Sequence, residues 1–440
     1  MVAYGFAGGI VLGTVLLMLP AATTTGASTD VLTALFTATS AVCVTGLIVV
    51  DTGGYWSTFG EVVILALIQV GGVGIMALAS MLGLLVARRM GLRMRLATQT
   101  ETKTLRLGDS RSVVLGVIRI SLAVETVIAA VLTARFALSY DETPGRAVYL
   151  GIYHAISAYN NAGFALWPDS LTRFAGDPWI IGPIMVAIII GGLGFPVLIE
   201  VLRRVRRRRS RPQRRHAWSL HTKITVITYA VVGVVGIVAI TVLEWSNPAT
   251  MGRFDTPGSL LAGVFGGIAP RTAGFNSVDI GEMHPSTLLI TDVLMFIGGG
   301  SGGTAGGIKV TTFALLAFVL LAEVRGEPTV HVMRRRLTAA VQRQALTVVL
   351  LGVGSIFVAT VAMMLLTPYR LDAVLFETTS AFATVGLSTG ITAALPDAAQ
   401  LILIVLMFLG RVGPLTLASA LALRERGRRY ELPEKRPIVG

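Results

Sequence analysis

Long apolar stretches alternate with short charged ones along most of this chain. The longest apolar runs are each close to the ~20 residues that a helix needs to cross a bilayer, and they cover 61–87, 179–202, 222–244, 345–367 and 398–423. Few of them alternate apolar and polar residues with a period of two, which argues against a β-barrel. Residues 1–20 lack a basic leading segment and a clear cleavage site, so we expect the first transmembrane helix there and not a signal peptide. The pattern predicts an all-α polytopic membrane protein.

Composition supports this class. The chain has 440 residues, of which 53% are hydrophobic and only 14% charged, with a mean hydropathy of +0.74. Soluble domains carry roughly 25% charged residues. The single cysteine, Cys43, excludes an intrachain disulfide and a cysteine-based metal site, and it does not indicate the compartment.

The net charge of +13 is unevenly distributed. Most basic residues fall into four clusters, at 88–111, 203–223, 325–343 and 424–436, while the intervening loops carry acidic residues. By the positive-inside rule, the basic loops and the C-terminus face the cytoplasm of a multi-pass protein in the cell (inner or plasma) membrane. For the arginine run at 203–215, a topology anchor touching anionic membrane lipids is favoured over nucleic-acid binding.

A short motif recurs four times at nearly equal spacing. It consists of Ala, four further residues, Gly, and then Leu or Phe, and it occupies 39–47, 156–164, 267–275 and 379–387. Each copy follows a long apolar run and then a shorter one, and a further long run comes after it. The layout of each repeat is therefore helix, half-helix, loop, helix. Because all four basic clusters lie on one side, the repeats are parallel and arrange around an axis along the membrane normal.

This layout predicts eight transmembrane helices plus four half-helices, with the four helix–pore-loop–helix repeats around a pseudo-four-fold pore. The expected divisions are repeat 1 over 1–87, repeat 2 over 88–202, repeat 3 over 203–323 with a broken second helix, repeat 4 over 324–423, and a cytoplasmic tail over 424–440. Capping residues and prolines place the starts of the half-helices near Asp30, Pro144, Thr256 and Asp372.

Four glycine-centred loops at membrane depth suit a cation. Irregular backbone there must be buried in protein or line water, and glycine lets carbonyl oxygens point to the axis. A carbonyl ring can replace the hydration shell of a cation as in potassium channels, and Thr384-Val385-Gly386 matches the start of their TVGYG sequence. The half-helix C-terminal ends, each with roughly −0.5 charge, also favour a cation. The predicted filter consists of Val44, Thr45, Gly46, Asn161, Ala162, Gly163, Thr272, Ala273, Gly274, Thr384, Val385 and Gly386.

A Gly-rich segment at 298–309 interrupts the apolar stretch 287–323. It partly matches a dinucleotide-binding glycine pattern but lacks the strand–helix context, and it fails the P-loop pattern. A flexible loop below the filter, which blocks ions and then moves, is the favoured interpretation; a passive helix break is the alternative. The predicted gate comprises Gly298, Gly299, Gly300, Ser301, Gly302, Gly303, Thr304, Ala305, Gly306, Gly307, Lys309 and Arg411.

Two arginines near these elements have specific expectations. Arg411 lies in the middle of the apolar run 398–423, where a charge usually faces a cavity or a partner. Facing the cavity, it would repel cations; snorkelling or pairing between helices is the alternative. Arg271, three residues before Gly274, is expected behind or above the filter, bonded to backbone carbonyls.

Segments 69–76, 161–164, 271–276 and 410–415 resemble the Trk/Ktr/HKT cation transporter superfamily, most closely its KtrB-type potassium uptake membrane subunits. The resemblance implies potassium as the transported ion, no covalent cofactor, and a gating role for the 298–309 segment. It also implies a homodimer with one pore per subunit, a cytosolic ring of nucleotide-binding RCK-type regulatory subunits, and uptake that is often sodium-dependent, with sodium as a coupling or activating ion. Relatives with Ser in the first loop tend to favour sodium, so Gly46 favours potassium.

Two alternatives remain. A sodium-selective or Trk-type cation carrier would share the fold. A membrane enzyme is disfavoured because the five histidines are scattered and no paired aspartate motif is present, so we expect a protein that is not an enzyme. The other polar groups in or near apolar runs are assigned only to internal pairing: Gln69, Arg119, Glu125 and Asp292.

Overall fold

The computed structural model describes residues 2–89, 110–210, 218–333 and 335–423. The tail at 424–440, most of the first basic cluster (90–109) and part of the second (211–217) lie outside the described residues. Within them the chain forms fifteen α-helices and one antiparallel hairpin, His331–Val332 with Arg335–Arg336. In chain order the helices are α1 (Val2–Leu17), α2 (Val31–Val42), α3 (Thr52–Tyr55), α4 (Thr58–Arg89), α5 (Ser110–Ser139), α6 (Pro144–Tyr159), α7 (Pro178–Leu193), α8 (Phe195–Ser210), α9 (Leu220–Glu244), α10 (Thr256–Ile268), α11 (Pro285–Phe296), α12 (Val310–Val324), α13 (Ala339–Leu366), α14 (Leu371–Ala383) and α15 (Asp397–Leu423).

Several helices are long and apolar enough to cross a bilayer. In the described part of the chain there are four such spans, at Thr58–Leu78, Val113–Ser139, Leu220–Glu244 and Ala339–Leu366. A fifth results if the bent pair α7 and α8 counts as one crossing. The all-α polytopic class is therefore confirmed, whereas the number of eight crossings remains a prediction.

The predicted half-helices are present as short helices, α2, α6, α10 and α14. All four begin within one residue of the expected position, and in three of them a capping carboxylate or a proline fixes the first turn. The Asp30 side chain accepts from Leu32 N, Asp255 accepts from Gly258 N, and Pro144 is the first residue of α6. The fourth, α14, begins at Leu371, one residue before the expected Asp372.

The apolar run 179–202 is not one straight helix, contrary to the sequence interpretation. α7 ends at Leu193 and α8 begins at Phe195, with 104° between them. Gly194 forms the bend with φ 92° and ψ 144°, a conformation that favours glycine. Proline follows at position 196, where the first turn of a new helix needs no backbone N–H. The apolar composition on both sides of Gly194 concealed this break.

The stretch 287–323 is divided between α11, which ends at Phe296, and α12, which begins at Val310. Between them, Gly298 N donates to Ile308 O at 2.9 Å, and Ile308 N donates to Phe296 O at 3.0 Å. The two ends of the intervening segment are thus pinned together, and the segment projects from α11 and α12 as a closed loop.

Each short helix packs against the α-helix that precedes it in the chain. The pairs are α1 with α2, α5 with α6, α9 with α10 and α13 with α14. The last helix, α15, packs against α14 and also against α1 and α2, so the end of the described chain returns to its beginning. The loops that follow the four short helices lie in the interior of this closed arrangement.

Candidate ion pathway

The four repeated motifs end in loops with one backbone geometry. We name them Gly loop 1 (43–47), Gly loop 2 (160–164), Gly loop 3 (271–275) and Gly loop 4 (383–387). In each, the motif glycine and the residue two positions before it have positive φ: Val44 (55°) and Gly46 (95°), Asn161 (59°) and Gly163 (72°), Thr272 (71°) and Gly274 (73°), Thr384 (49°) and Gly386 (96°). Left-handed backbone is costly for residues other than glycine, and for β-branched ones above all. The same left-handed conformation recurs at the same position in all four loops, so the surrounding contacts must impose it.

The Gly loops contact one another in cyclic order. A Cβ added to Gly46 would lie 2.2 Å from Ala162 O, and one added to Gly163 would lie 2.7 Å from Gly274 Cα. A Cβ on Gly274 would lie 2.4 Å from Val385 O, and one on Gly386 would lie 2.2 Å from Thr45 O. Each loop therefore touches the next, and the fourth touches the first. The structure brings all twelve predicted filter residues into this one ring, which contains no room for side chains at the glycines.

Amide groups of the loops are bonded to their own short helices. Backbone N–H groups in loops 1, 2 and 4 donate to the carbonyl of a serine in the last turns of the short helix: Thr45 N to Ser40 O at 2.7 Å, Ala162 N to Ser157 O at 2.8 Å, and Val385 N to Ser380 O at 2.9 Å. The serine hydroxyl of loops 1 and 4 also accepts from the glycine, Gly46 N to Ser40 Oγ at 3.0 Å and Gly386 N to Ser380 Oγ at 3.1 Å.

These serines directly precede the motif alanine in three of the four copies, and no role was predicted for them. Loop 3 has Ile268 at the same position, and there Ala273 N donates to Ala269 O at 3.0 Å. The carbonyl oxygens of Thr45, Ala162 and Val385 lie against the glycine of a neighbouring loop: Gly386, Gly46 and Gly274 respectively. A ring of this kind presents carbonyl oxygens and can coordinate a cation that has shed its water.

The Gly-rich segment 298–309 lies against three of the four Gly loops. Thr304 Oγ1 donates to Tyr159 O, next to loop 2, at 3.2 Å, and Gly306 N donates to Thr272 Oγ1 of loop 3 at 3.1 Å. A Cβ on Gly306 would lie 2.2 Å from Ala383 O of loop 4. The segment is therefore buried directly beside the ring.

The bend at Gly194 and the Gly-rich segment interlock. Gly300 N donates to Gly192 O at 2.8 Å, Thr304 N to Gly191 O at 3.2 Å, and Phe195 N to Gly302 O at 3.1 Å. A Cβ on Gly194 would lie 2.7 Å from Ser301 O. The break between α7 and α8 thus supplies hydrogen-bond partners for backbone groups of the Gly-rich segment, and the segment does the same for the break.

Both predicted gate cations bind carbonyls of this segment. Arg411 Nη1 donates to Thr304 O at 2.6 Å, and its Nε and Nη2 atoms have no hydrogen-bond partner among the described residues. The Lys309 ammonium group donates to Ala305 O and, at 3.4 Å, to Gly306 O. Arg411 is only 4% exposed. Two positive charges are therefore held beside the ring by neutral carbonyl groups.

Arg271 lies behind loop 3, as expected. Its Nη1 donates to Tyr229 O on α9 at 2.6 Å, and its guanidinium carbon lies 3.8 Å from the centre of the Tyr229 ring. The side chain is 3% exposed, so it braces the loop from the protein side.

Known proteins resemble this chain over nearly its whole length. The TrkH family, described as cation transport proteins, matches residues 10–428. Ktr system potassium uptake protein B of Bacillus subtilis (strain 168) is 38% identical over 424 residues, covering 96% of this chain and 93% of the relative. The protein of the same name from Vibrio alginolyticus is 37% identical over 436 residues, covering 99% and 93%. Potassium/sodium uptake protein NtpJ of Enterococcus hirae is 31% identical over 446 residues, covering 100% and 96%.

The fold also matches a solved structure. The crystal structure of the potassium transporter TrkH from Vibrio parahaemolyticus superposes with a TM-score of 0.69 at 19% sequence identity, over 96% of this chain and 85% of that one. At this identity the likeness establishes the fold alone. The family match and the relatives above 30% identity show that the chain belongs to the TrkH family of cation transport proteins.

Proposed function

We propose that this chain is the potassium-translocating membrane subunit of a Ktr-type uptake system, and that ions pass through the ring of the four Gly loops. The observation that carries the proposal is the cyclic contact of the loops, in which the glycine of each loop abuts a carbonyl oxygen or glycine of the next. The names of the two relatives from Bacillus subtilis and Vibrio alginolyticus support potassium as the ion.

The twelve filter residues act through their backbone. The amides of Thr45, Ala162 and Val385 are bonded to the short helices, and we assign the carbonyls of the filter residues the role of replacing water around a bare cation. The C-terminal ends of α2, α6, α10 and α14 lead directly into the loops, and the partial negative charge at each end stabilises a cation. In this proposal the four parallel repeats surround a pseudo-four-fold pore, with the boundaries at 87, 202, 323 and 423.

The Gly-rich segment is the proposed gate. Its contacts with loops 2, 3 and 4 support a role as a barrier to an ion that leaves the ring. Arg411 and Lys309 add positive charge where water is scarce, and a cation there meets a repulsion that bulk water would have screened. Opening requires the segment to release Thr304 and Gly306 from their partners.

Potassium is favoured over sodium because all four loops carry glycine at the ring position. A sodium-selective or Trk-type carrier remains the second candidate, and the relative named as a potassium/sodium uptake protein keeps sodium in view as a transported, coupling or activating ion. Channel-like uptake is energetically sufficient for moderate gradients. A potential of ~100 mV contributes about 2.3 kcal/mol per charge, enough for about 50-fold accumulation.

The proposed assembly follows the names of the relatives, which belong to a multi-component system. We expect a homodimer with one pore per subunit, a cytosolic nucleotide-binding RCK-type ring, and basic loops that face the cytoplasm and contact anionic lipids. The orientation can be tested directly: a cysteine placed in the 331–336 hairpin should react with a membrane-impermeant thiol reagent only in inverted vesicles.

Growth of cells that lack their own potassium uptake tests the function. Expression of the chain with its cognate regulator should restore growth at low potassium. Failure to restore growth, despite membrane insertion of both proteins, would exclude potassium uptake as the function.

A further inference from the structure

A buried polar network connects Gly loop 2 to two long helices. Asn160 Nδ2 lies 2.7 Å from Gln69 Oε1 on α4, 3.3 Å from Glu125 Oε1 on α5, and 3.0 Å from the Ile156 carbonyl. Gln69 Nε2 donates to Glu125 Oε2 at 3.1 Å. Both oxygens of the Glu125 carboxyl group therefore accept from amide side chains, one of which belongs to the loop.

From this geometry we infer that Glu125 is a positioning residue for the ion filter, acting through Asn160 on the adjacent residues Asn161, Ala162 and Gly163. The inference rests on the proposed function, since it assigns Glu125 a part in ion selectivity. It extends that function to a residue on a long membrane-spanning helix outside the ring.

A carboxyl group in this place is costly. Glu125 is 4% exposed and lies within the span Val113–Ser139, while Asn160 is 0% exposed. Polar groups at membrane depth are expensive unless a partner satisfies them, and those that persist generally serve a site. Here the carboxyl group accepts from Gln69 Nε2 and from Asn160 Nδ2, and so links the loop amide to both long helices.

Comparison of the four loops shows that the Asn160 anchor is not required for a loop to join the ring. At the position of Asn160, three residues before the glycine, the other loops carry Cys43, Arg271 and Ala383. Arg271 is likewise anchored to the preceding long helix, through Tyr229 O on α9 at 2.6 Å. Because loop 4 joins the ring with Ala383 at this position, a polar anchor is not needed for ring closure. Loops 2 and 3 therefore each have a side-chain anchor to a long helix, in addition to the backbone geometry that all four loops share.

Glycines on the neighbouring helix α4 leave space for the Asn160 side chain. A Cβ on Gly72 would lie 2.0 Å from Asn160 Oδ1, and one on Gly71 would lie 2.1 Å from Val42 O at the end of α2. The Gln-Val-Gly-Gly sequence at 69–72 thus provides one hydrogen-bond partner and the space for Asn160. This gives a physical reason for a motif that the pathway itself does not use.

Replacing Glu125 by glutamine tests whether its two accepting oxygens position the loop. A carboxylate accepts at both oxygens, whereas an amide accepts at one and donates at the other. Glu125→Gln therefore places an NH₂ group against either the Asn160 or the Gln69 NH₂ group, at nearly unchanged volume. Asn160→Ala removes the anchor from the loop side and copies the natural residue of loop 4.

The test uses the full-length protein with Glu125→Gln, Asn160→Ala and the double variant. Hydrogen exchange should rise about fivefold at the amides of residues 161–163, the scale of one lost hydrogen bond, and stay unchanged at 384–387. The potassium-to-sodium flux ratio in liposomes should fall about fivefold in each single variant, with no further fall in the double variant. Glu244→Gln is the matched control. It removes an equally buried carboxylate, bonded to Asn247 and Thr250 at 2.7 Å each, and it should change neither readout.

Each outcome decides the inference. Faster hydrogen exchange confined to residues 161–163, together with a double variant that loses no more selectivity than the single variants, supports the inference. Unchanged exchange at 161–163 in folded Glu125→Gln overturns it, as does a double variant whose selectivity loss is the product of the single losses. If the unsubstituted protein moves no potassium, the proposed function fails, and the exchange result still decides whether Glu125 positions the loop.

Discussion

Gly386 lies directly against Gly46: a Cβ added to Gly386 would be 3.0 Å from the Cα of Gly46. The last Gly loop of the chain thus contacts the first, and this contact closes the ring. Because both residues also have φ near 95°, each is held in a conformation and at a distance that glycine alone satisfies.

Substitution at the ring should weaken selectivity. Gly46→Ser and Gly386→Ser place a side chain 2.2 Å from Ala162 O and Thr45 O respectively, so the loops must separate and their carbonyls lose register. We expect the potassium-to-sodium flux ratio to fall about tenfold, equivalent to about 1.4 kcal/mol. Gly354→Ser on α13, where no atom lies within 4 Å, is the control. Unchanged selectivity in both ring variants would remove the filter assignment.

Neutralising Arg411 should open the pathway. Arg411→Gln removes both the charge beside the ring and the charge-assisted bond to Thr304 O. Potassium flux in the absence of the regulator should rise about tenfold, which corresponds to about 1.4 kcal/mol of barrier. Arg411→Lys, which keeps the charge, should stay near the original rate. As a control, Arg173→Gln removes an exposed arginine paired with Asp169 and should leave the flux unchanged. Equal rates in Arg411→Gln and the original protein would argue for a purely structural arginine.

The bend between α7 and α8 should be intolerant of a side chain. Gly194→Ala strains a glycine conformation and brings Cβ to 2.7 Å from Ser301 O, so it should destabilise the fold by about 1–3 kcal/mol. Thermal unfolding in detergent measures this, with Gly182→Ala in α7, where space is open, as the control. A Gly194 variant as stable as the Gly182 variant would mean that the bend relaxes at little cost.

The serine hydroxyl of loop 4 should matter for ion discrimination. Ser380→Ala leaves the Gly386 amide without its acceptor, so the loop becomes less rigid. We expect about a fivefold lower potassium-to-sodium flux ratio, again the scale of one hydrogen bond. Ser355→Ala, which removes an exposed hydroxyl bonded within α13, serves for comparison. Identical selectivity in the two variants would show that the loop is held by its backbone bonds alone.

Sequence alone located the ring but not its geometry. The repeated glycines and the start signals at Asp30, Pro144, Thr256 and Asp372 are local features, and they predicted the loops and all four short-helix starts to within one residue. The left-handed backbone at Val44 and Thr384 was not predictable, because β-branched residues disfavour it and tertiary contacts must impose it. The assignment of individual residues to filter and gate therefore remains a prediction that the geometry supports.

Long-range pairing was the other limit. Gln69 and Glu125 were assigned to internal pairing without partners, and their bond joins residues on different helices whose packing no local pattern encodes. The break at Gly194 was missed for a related reason. The run around it is uniformly apolar, and the bend is stabilised by the Gly-rich segment more than a hundred residues away, through Phe195 N and Gly302 O.

Ion flux into liposomes that contain the purified chain, with and without its cognate regulatory ring, tests the central claim most directly. The account predicts potassium flux that exceeds sodium flux, that increases when the ring is added with its activating nucleotide, and that loses its potassium preference in Gly386→Ser. Equal potassium and sodium flux, or a sodium preference, in the unsubstituted protein would contradict the account.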